Sequence, residues 1–236
     1  ILGAGRSGTK FLRSCLGVSN EVVEVPYDIG YIWRYGNESI DHDELQSSML
    51  TAKISKYIHK ILPSLIKEEK PNAKFLVEKT VPNTLRPEFL YKIFPDAKFI
   101  HIIRDGRAVT ASSIEAWTKP VSRTYLTDKI KYFPWSNYRY AIWYVVNLVK
   151  GLLFSTRGFH VWGPRYSGIN EDIKSLPIEV VCARQWRRSV EITHEQFNNI
   201  PAENKYEIRY ESLVSDPEVI QGVCDYIGLS DSKEVL

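Results

Sequence analysis

The segment Gly3-Ala4-Gly5-Arg6-Ser7-Gly8-Thr9-Lys10-Phe11 constrains the fold of this chain more than any other. It follows an apolar pair, Ile1-Leu2, and opens a helical run from Lys10 to Leu16. A strand end, a glycine loop and a helix start make an anion cradle. Glycines let backbone amides turn toward one point, and the helix N-terminus adds positive potential. The residue order departs from the nucleoside-triphosphate loop, which ends in Gly-Lys-Ser/Thr. Here Gly8 is followed by Thr9-Lys10, and a basic residue, Arg6, stands before Ser7-Gly8-Thr9. Ile1-Leu2 reads as the end of a strand whose first part lies upstream, where a signal or anchor would also stand.

The same grammar recurs along the first half. Glu21 to Val25, Lys74 to Val77 and Ala97 to Ile103 read as strands; Pro82 to Phe94 and Gly106 to Trp117 read as helices. Between Asp41 and Ile66, Leu45, Met49, Ile54, Ile58, Ile61 and Leu65 fall near helical spacing. Asp41 or Asp43 is the expected cap of that helix, and Pro63 its kink or end. Later come a helix over Val180 to Phe197, a strand over Tyr206 to Arg209, and a helix over Asp216 to Ile227 with Pro217 in its first turn and Gly228 past its end. Such alternation predicts an α/β protein of the P-loop-NTPase-like, three-layer kind: a central parallel sheet flanked by helices. Ligands then sit beyond the carboxyl ends of the strands. The polar joints Gly3–Lys10, Glu78–Asn83 and Arg104–Arg107 all fall there. Residues 1–236 read as one domain, with an aromatic-rich insertion over about 117–170 that includes a buried helix from Tyr140 to Leu153.

A net charge of +3 is too small for a nucleic-acid footprint and suits a local site for a small anion. Cys15, Cys182 and Cys224 are odd in number and without metal-ligand spacing, so they read as buried thiols of a reducing compartment. No apolar run approaches the roughly 18 residues of a membrane span. The oligomeric state is not legible.

A second motif gives the loop its meaning. The strand ending Phe99-Ile-His-Ile-Ile-Arg104 runs into Asp105-Gly106-Arg107, and Ser112 lies eight residues past Arg104 on the following helix. Arginine offers a rigid donor fork for phosphate, and serine adds a hydroxyl. Asp105 reads as a helix cap, Arg107 as a solvent or salt-bridge residue, and His101 and Trp186 as core.

Together, the Arg6-Ser7-Gly8-Thr9-x-Phe11-Leu12 form and the Arg104/Ser112 spacing resemble PAPS-dependent sulfotransferases, whose donor is 3′-phosphoadenosine-5′-phosphosulfate (PAPS) and whose product is PAP. The branch resembled is the bacterial and glycan type. The resemblance implies that Gly5, Arg6, Ser7, Gly8, Thr9, Lys10 and Phe11 hold the 5′-phosphosulfate, with Arg6 neutralising the departing bridging oxygen. Arg104 and Ser112 would hold the 3′-phosphate, which ATP lacks. Glu78-Lys79-Thr80-Val81-Pro82 looks like the Glu-Lys-Thr-Pro segment of glycan sulfotransferases, with Lys79 near the sulfuryl group. Tyr210, in Arg209-Tyr210-Glu211-Ser212-Leu213, would contact the adenine. The base implied for the acceptor hydroxyl is a carboxylate after the second strand, Asp28 ahead of Glu24, with His160 a third candidate. The aromatic stretch would build a pocket for a glycan or glycolipid. No metal is required. A cytoplasmic place is favoured over a Golgi-lumenal one. Two other readings compete: a P-loop-type nucleotide kinase, and a non-catalytic module that binds PAP or glycans.

Overall fold

The computed structural model describes residues 1–25, 27–66, 70–118, 161–230 and 235. The helix expected over Tyr140 to Leu153 and the candidate His160 lie outside them. Four strands are described: β1 (Val22–Glu24), β2 (Phe75–Val77), β3 (Phe99–Ile103) and β4 (Lys205–Arg209). The helices are α1 (Thr9–Gly17), α2 (Gly30–Trp33), α3 (Ala52–Ser64), α4 (Pro87–Ile93), α5 (Gly106–Thr118), α6 (Ile169–Ser175), α7 (Ile178–Phe197), α8 (Tyr210–Ser215) and α9 (Pro217–Ile227).

β1 pairs with β2 and β3 with β4, both in parallel. Ile1-Leu2 lies between the two pairs. Leu2 bridges His101 in parallel, and the Ile1 nitrogen donates to the Glu78 carbonyl at 2.8 Å. The row across the molecule is therefore β1, β2, Leu2, β3, β4. Because the neighbours run in parallel, the loops that leave their carboxyl ends emerge on one edge.

Strand alternation builds the layers. Ile100 and Ile102 point to one face and pack with Leu12 and Leu16 of α1 and with Ile220, Val223 and Cys224 of α9. Phe99 points to the other face, toward Phe89 and Leu90 of α4, Ile58 of α3 and Phe197 of α7. All five β3 residues are buried, as a central strand requires. Complete burial of a leucine such as Leu12 or Leu16 is worth about 1.5–3 kcal/mol. A third cluster joins Trp117 of α5, Tyr166, Ile169 of α6 and Val181 and Cys182 of α7. This is the α/β, parallel-sheet architecture expected.

Two helices differ from their sequence reading. The Asp41–Ile66 helix starts only at Ala52, where the Thr51 side chain accepts from the Ile54 amide. Asp43 is no cap. It is buried and ion-paired with Arg34 at 3.0 Å and Arg86 at 3.6 Å. Leu45 is buried outside any helix, and the half-buried Met49 ends a separate 3-10 turn, Ser47–Met49. The Pro82–Phe94 helix is split into a 3-10 turn, Val81–Leu85, and α4. Pro87 disfavours helical backbone at Arg86, whose φ is −154°. The final helix is as read: the Asp216 side chain accepts from the Glu218 amide, and Gly228 takes φ 89° beyond the last turn.

Candidate active site

The loop Gly3–Gly8 leaves the middle of the row. On its β3–β4 side stand Arg104 and Tyr210, the residues immediately after those strands. On its β2–β1 side stand Lys79 and Asp28. One central glycine loop thus has an arginine–aromatic flank and a lysine–carboxylate flank.

On the first flank the two motifs touch. Arg6 Nε donates to Ser112 Oγ at 2.8 Å, and Arg104 donates to the Arg6 carbonyl at 2.9 Å. Arg6 is the one non-glycine residue with positive φ, at 69°, among those described. A left-handed backbone costs an arginine energy, and such strain is found where function needs a fixed side chain. The Arg104 guanidinium lies 4.5 Å from the Tyr210 ring centroid, a cation–π distance. Tyr210 in turn rests on Gly8, which has φ 90°. A Cβ there would lie 2.2 Å from Tyr210 Cδ2. Gly8→Ala is therefore expected to displace Tyr210 and Arg104 together and cost about 1–3 kcal/mol of stability. Urea unfolding of the two proteins measures it; equal stability would mean the ring yields freely.

The remaining loop residues divide by burial. Ser7 and Thr9 are buried, Lys10 is exposed and Phe11 is exposed. Ser7 Oγ is buried without a hydrogen-bond partner among the described residues, an uncommon state for a hydroxyl. Gly5 faces Trp162: a Cβ at Gly5 would meet the indole Cη2 at 2.8 Å. Trp162 is held by its backbone, because Gln185 Nε2 donates to the carbonyls of Trp162 and Pro164 while Gln185 Oε1 accepts from the Trp117 indole. The sequence shows Trp162 only as one ring among many.

α5 begins as expected. Asp105 Oδ1 accepts from the Arg107 amide at 2.8 Å, and its carboxylate pairs with the Arg107 side chain. That hydrogen bonding lowers the Asp105 carboxyl to about 2. Trp186 packs against Gly106 and donates to the Arg104 carbonyl at 3.1 Å, so it braces the strand end.

On the second flank, three consecutive side chains each grip the segment after β1. Glu78 accepts from the Trp33 indole at 3.2 Å, Lys79 pairs with Asp28, and Thr80 Oγ1 accepts from the Ile29 amide at 2.9 Å. Both sides of that contact are buried or half-buried. Asn83 donates to Glu78 and accepts from the fully buried Arg86, which links the flank to the Arg34–Asp43–Arg86 cluster. The other candidate carboxylate, Glu24, stands apart. It pairs with Arg13 at 3.0 Å, against α1. Cys182 and Cys224 are buried, Cys15 half-buried, and all three are free thiols. Burial pushes the Cys182 thiol up to about 12, which removes it from nucleophilic chemistry.

A parallel α/β sheet, a strained arginine in a glycine loop and a second arginine clamped onto that loop define a P-loop-like group-transfer protein. The chain belongs to the Sulfotransferase family: that family's sequence model matches residues 1–144 and 155–233. Solved structures agree on the fold. The sulfotransferase domain from the curacin biosynthetic pathway superposes with a TM-score of 0.53 at 16% identity, over 100% of this chain and 75% of that one. The sulfotransferase domain of the Synechococcus PCC 7002 olefin synthase gives 0.55 at 17%, over 100% and 74%. The sulfotransferase from Alicyclobacillus acidocaldarius gives 0.54 at 14%, over 99% and 83%. No curated protein matches the chain. Among the described residues, no helix is long and apolar enough to cross a membrane.

Proposed function

We propose that this sulfotransferase moves a sulfuryl group from PAPS to a hydroxyl of a glycan or glycolipid. The observation that carries the reading is the Arg6–Ser112 hydrogen bond, with Arg104 on the Arg6 carbonyl. It draws the two motifs that would hold the 5′- and 3′-ends of one nucleotide into a single cluster. Tyr210, stacked on Arg104 and lying over Gly8, stands where a flat base would be received.

The reaction follows the logic of phosphoryl transfer: in-line attack, a loose transition state, and charge spread over equatorial oxygens. The acceptor oxygen bonds to sulfur as the bond from sulfur to the bridging oxygen breaks. The leaving PAP phosphate gains charge, which Arg6 neutralises. Lys79 faces the sulfuryl oxygens, and Asp28, its partner, takes the hydroxyl proton. Glu24, engaged by Arg13, ranks behind Asp28 as base. Trp162, against Gly5, forms an apolar wall of the acceptor side, where a ring can stack on a sugar face. The Glu78-Lys79-Thr80 segment favours the glycan reading, since it is the element shared with glycan sulfotransferases.

Calorimetry with PAP and with ATP–magnesium tests the donor: PAP is expected to bind and ATP more weakly. Tighter ATP binding would sink the proposal in favour of a kinase. Labelled PAPS offered with glycans, glycolipids and phenols tests the acceptor. Label on a sugar hydroxyl is expected; PAP binding without transfer to any of them would make the chain a binding module.

A further inference from the structure

Away from the anion loop, His101 of β3, Glu207 of β4 and His194 of α7 converge. His101 Nδ1 lies 3.1 Å from Glu207 Oε2, and His194 Nε2 lies 2.6 Å from the same oxygen. One ligand atom from each residue falls within 4.8 Å of the others. Three elements supply them, β3 far in sequence from the neighbouring α7 and β4: His101 and Glu207 face each other in the β3–β4 register, and α7 covers that face of the sheet.

We propose that His101, His194 and Glu207 form a site for one exchangeable divalent cation of the zinc type. Two imidazoles and one carboxylate are a zinc ligand set that leaves a fourth position open. Zinc bonds of about 2.0–2.2 Å place tetrahedral ligand atoms roughly 3.4 Å apart. The two imidazole–carboxylate separations fall below that distance and all three pairs lie within 4.8 Å, so closing on an ion takes a shift of the Glu207 carboxylate, whose side chain is 42% exposed, and of the half-exposed His194 ring. The side chains of His194 and Glu207 are half-exposed, which gives an ion its way in.

The site is exchangeable for a reason also visible in the structure. His101 Nε2 is buried without a hydrogen-bond partner among the described residues. A metal on Nδ1 puts the ring proton on that nitrogen, and a ligand histidine without an outer partner binds more weakly. Without metal, Glu207 joins the two rings by hydrogen bonds instead. The ion would tie α7 to β3 and β4 three residues before Arg104 and Tyr210, stiffening the strand ends beneath the arginine–aromatic flank.

Zinc titration of the chelator-stripped protein, followed by calorimetry and by the thermal midpoint, tests this independently of any transfer activity. One Zn2+ is expected to bind and raise the midpoint, with Mg2+ doing neither. His194→Ala, a change at a half-exposed position, should weaken zinc at least tenfold with an unchanged circular dichroism spectrum. Glu207→Gln should do the same. Wild-type protein that ignores zinc would overturn the proposal. So would His194→Ala binding zinc as tightly as wild type, which would move the ion elsewhere, to Cys15 for example.

Discussion

Arg6→Ala is expected to lower the turnover number by about 10²–10³-fold, the usual effect of deleting one preorganised donor aimed at developing charge. The side chain is exposed, and its bond to Ser112 links two surface groups, so the fold should not need it. The Arg104 contact reaches the Arg6 carbonyl and survives the substitution. Circular dichroism and the thermal midpoint should thus stay as in wild type while labelled transfer collapses. Arg6→Lys separates charge from geometry. A lysine keeps the cation but lacks the Nε–H that meets Ser112, so it should recover only part of the rate. Full activity in Arg6→Ala would remove this residue from the chemistry.

Asp28→Asn comes second, with an expected loss of about 10²–10⁴-fold in turnover, the range for a general base. The amide keeps the shape and a hydrogen-bonding oxygen for Lys79 but cannot take a proton. PAP affinity should be unchanged, because Asp28 stands on the flank opposite Arg104 and Tyr210. Wild-type turnover in Asp28→Asn would show that the carboxylate only holds Lys79 in place. Glu24→Gln is the control. With Glu24 bound to Arg13, that change should affect stability more than rate.

The misread helix shows where sequence reasoning runs out. Asp41 or Asp43 before an apolar run satisfies every local rule for a cap. Asp43 instead takes two buried arginines, Arg34 and Arg86, and its amide donates to the carbonyl of Arg165, 122 residues away. Local rules see spacing along the chain. They carry no information about which distant charge will be desolvated beside a given carboxylate, and that desolvation decides the partner.

The family was legible from the glycine loop and the Arg104 motif for the opposite reason. A phosphate-type cradle calls for glycines, a helix start and arginines at one joint of a chain, and those residue types stand together in this sequence. The parallel α/β sheet was legible because strand and helix periods alternate visibly. What tertiary structure alone decided is how those pieces meet. Arg6 reaches Ser112 across 106 residues, Lys79 reaches Asp28 across 51, and Trp162 closes on Gly5. The order β1, β2, Leu2, β3, β4 made those meetings, because it brings five loops to one edge whose neighbours are set by backbone pairing and not by distance along the chain.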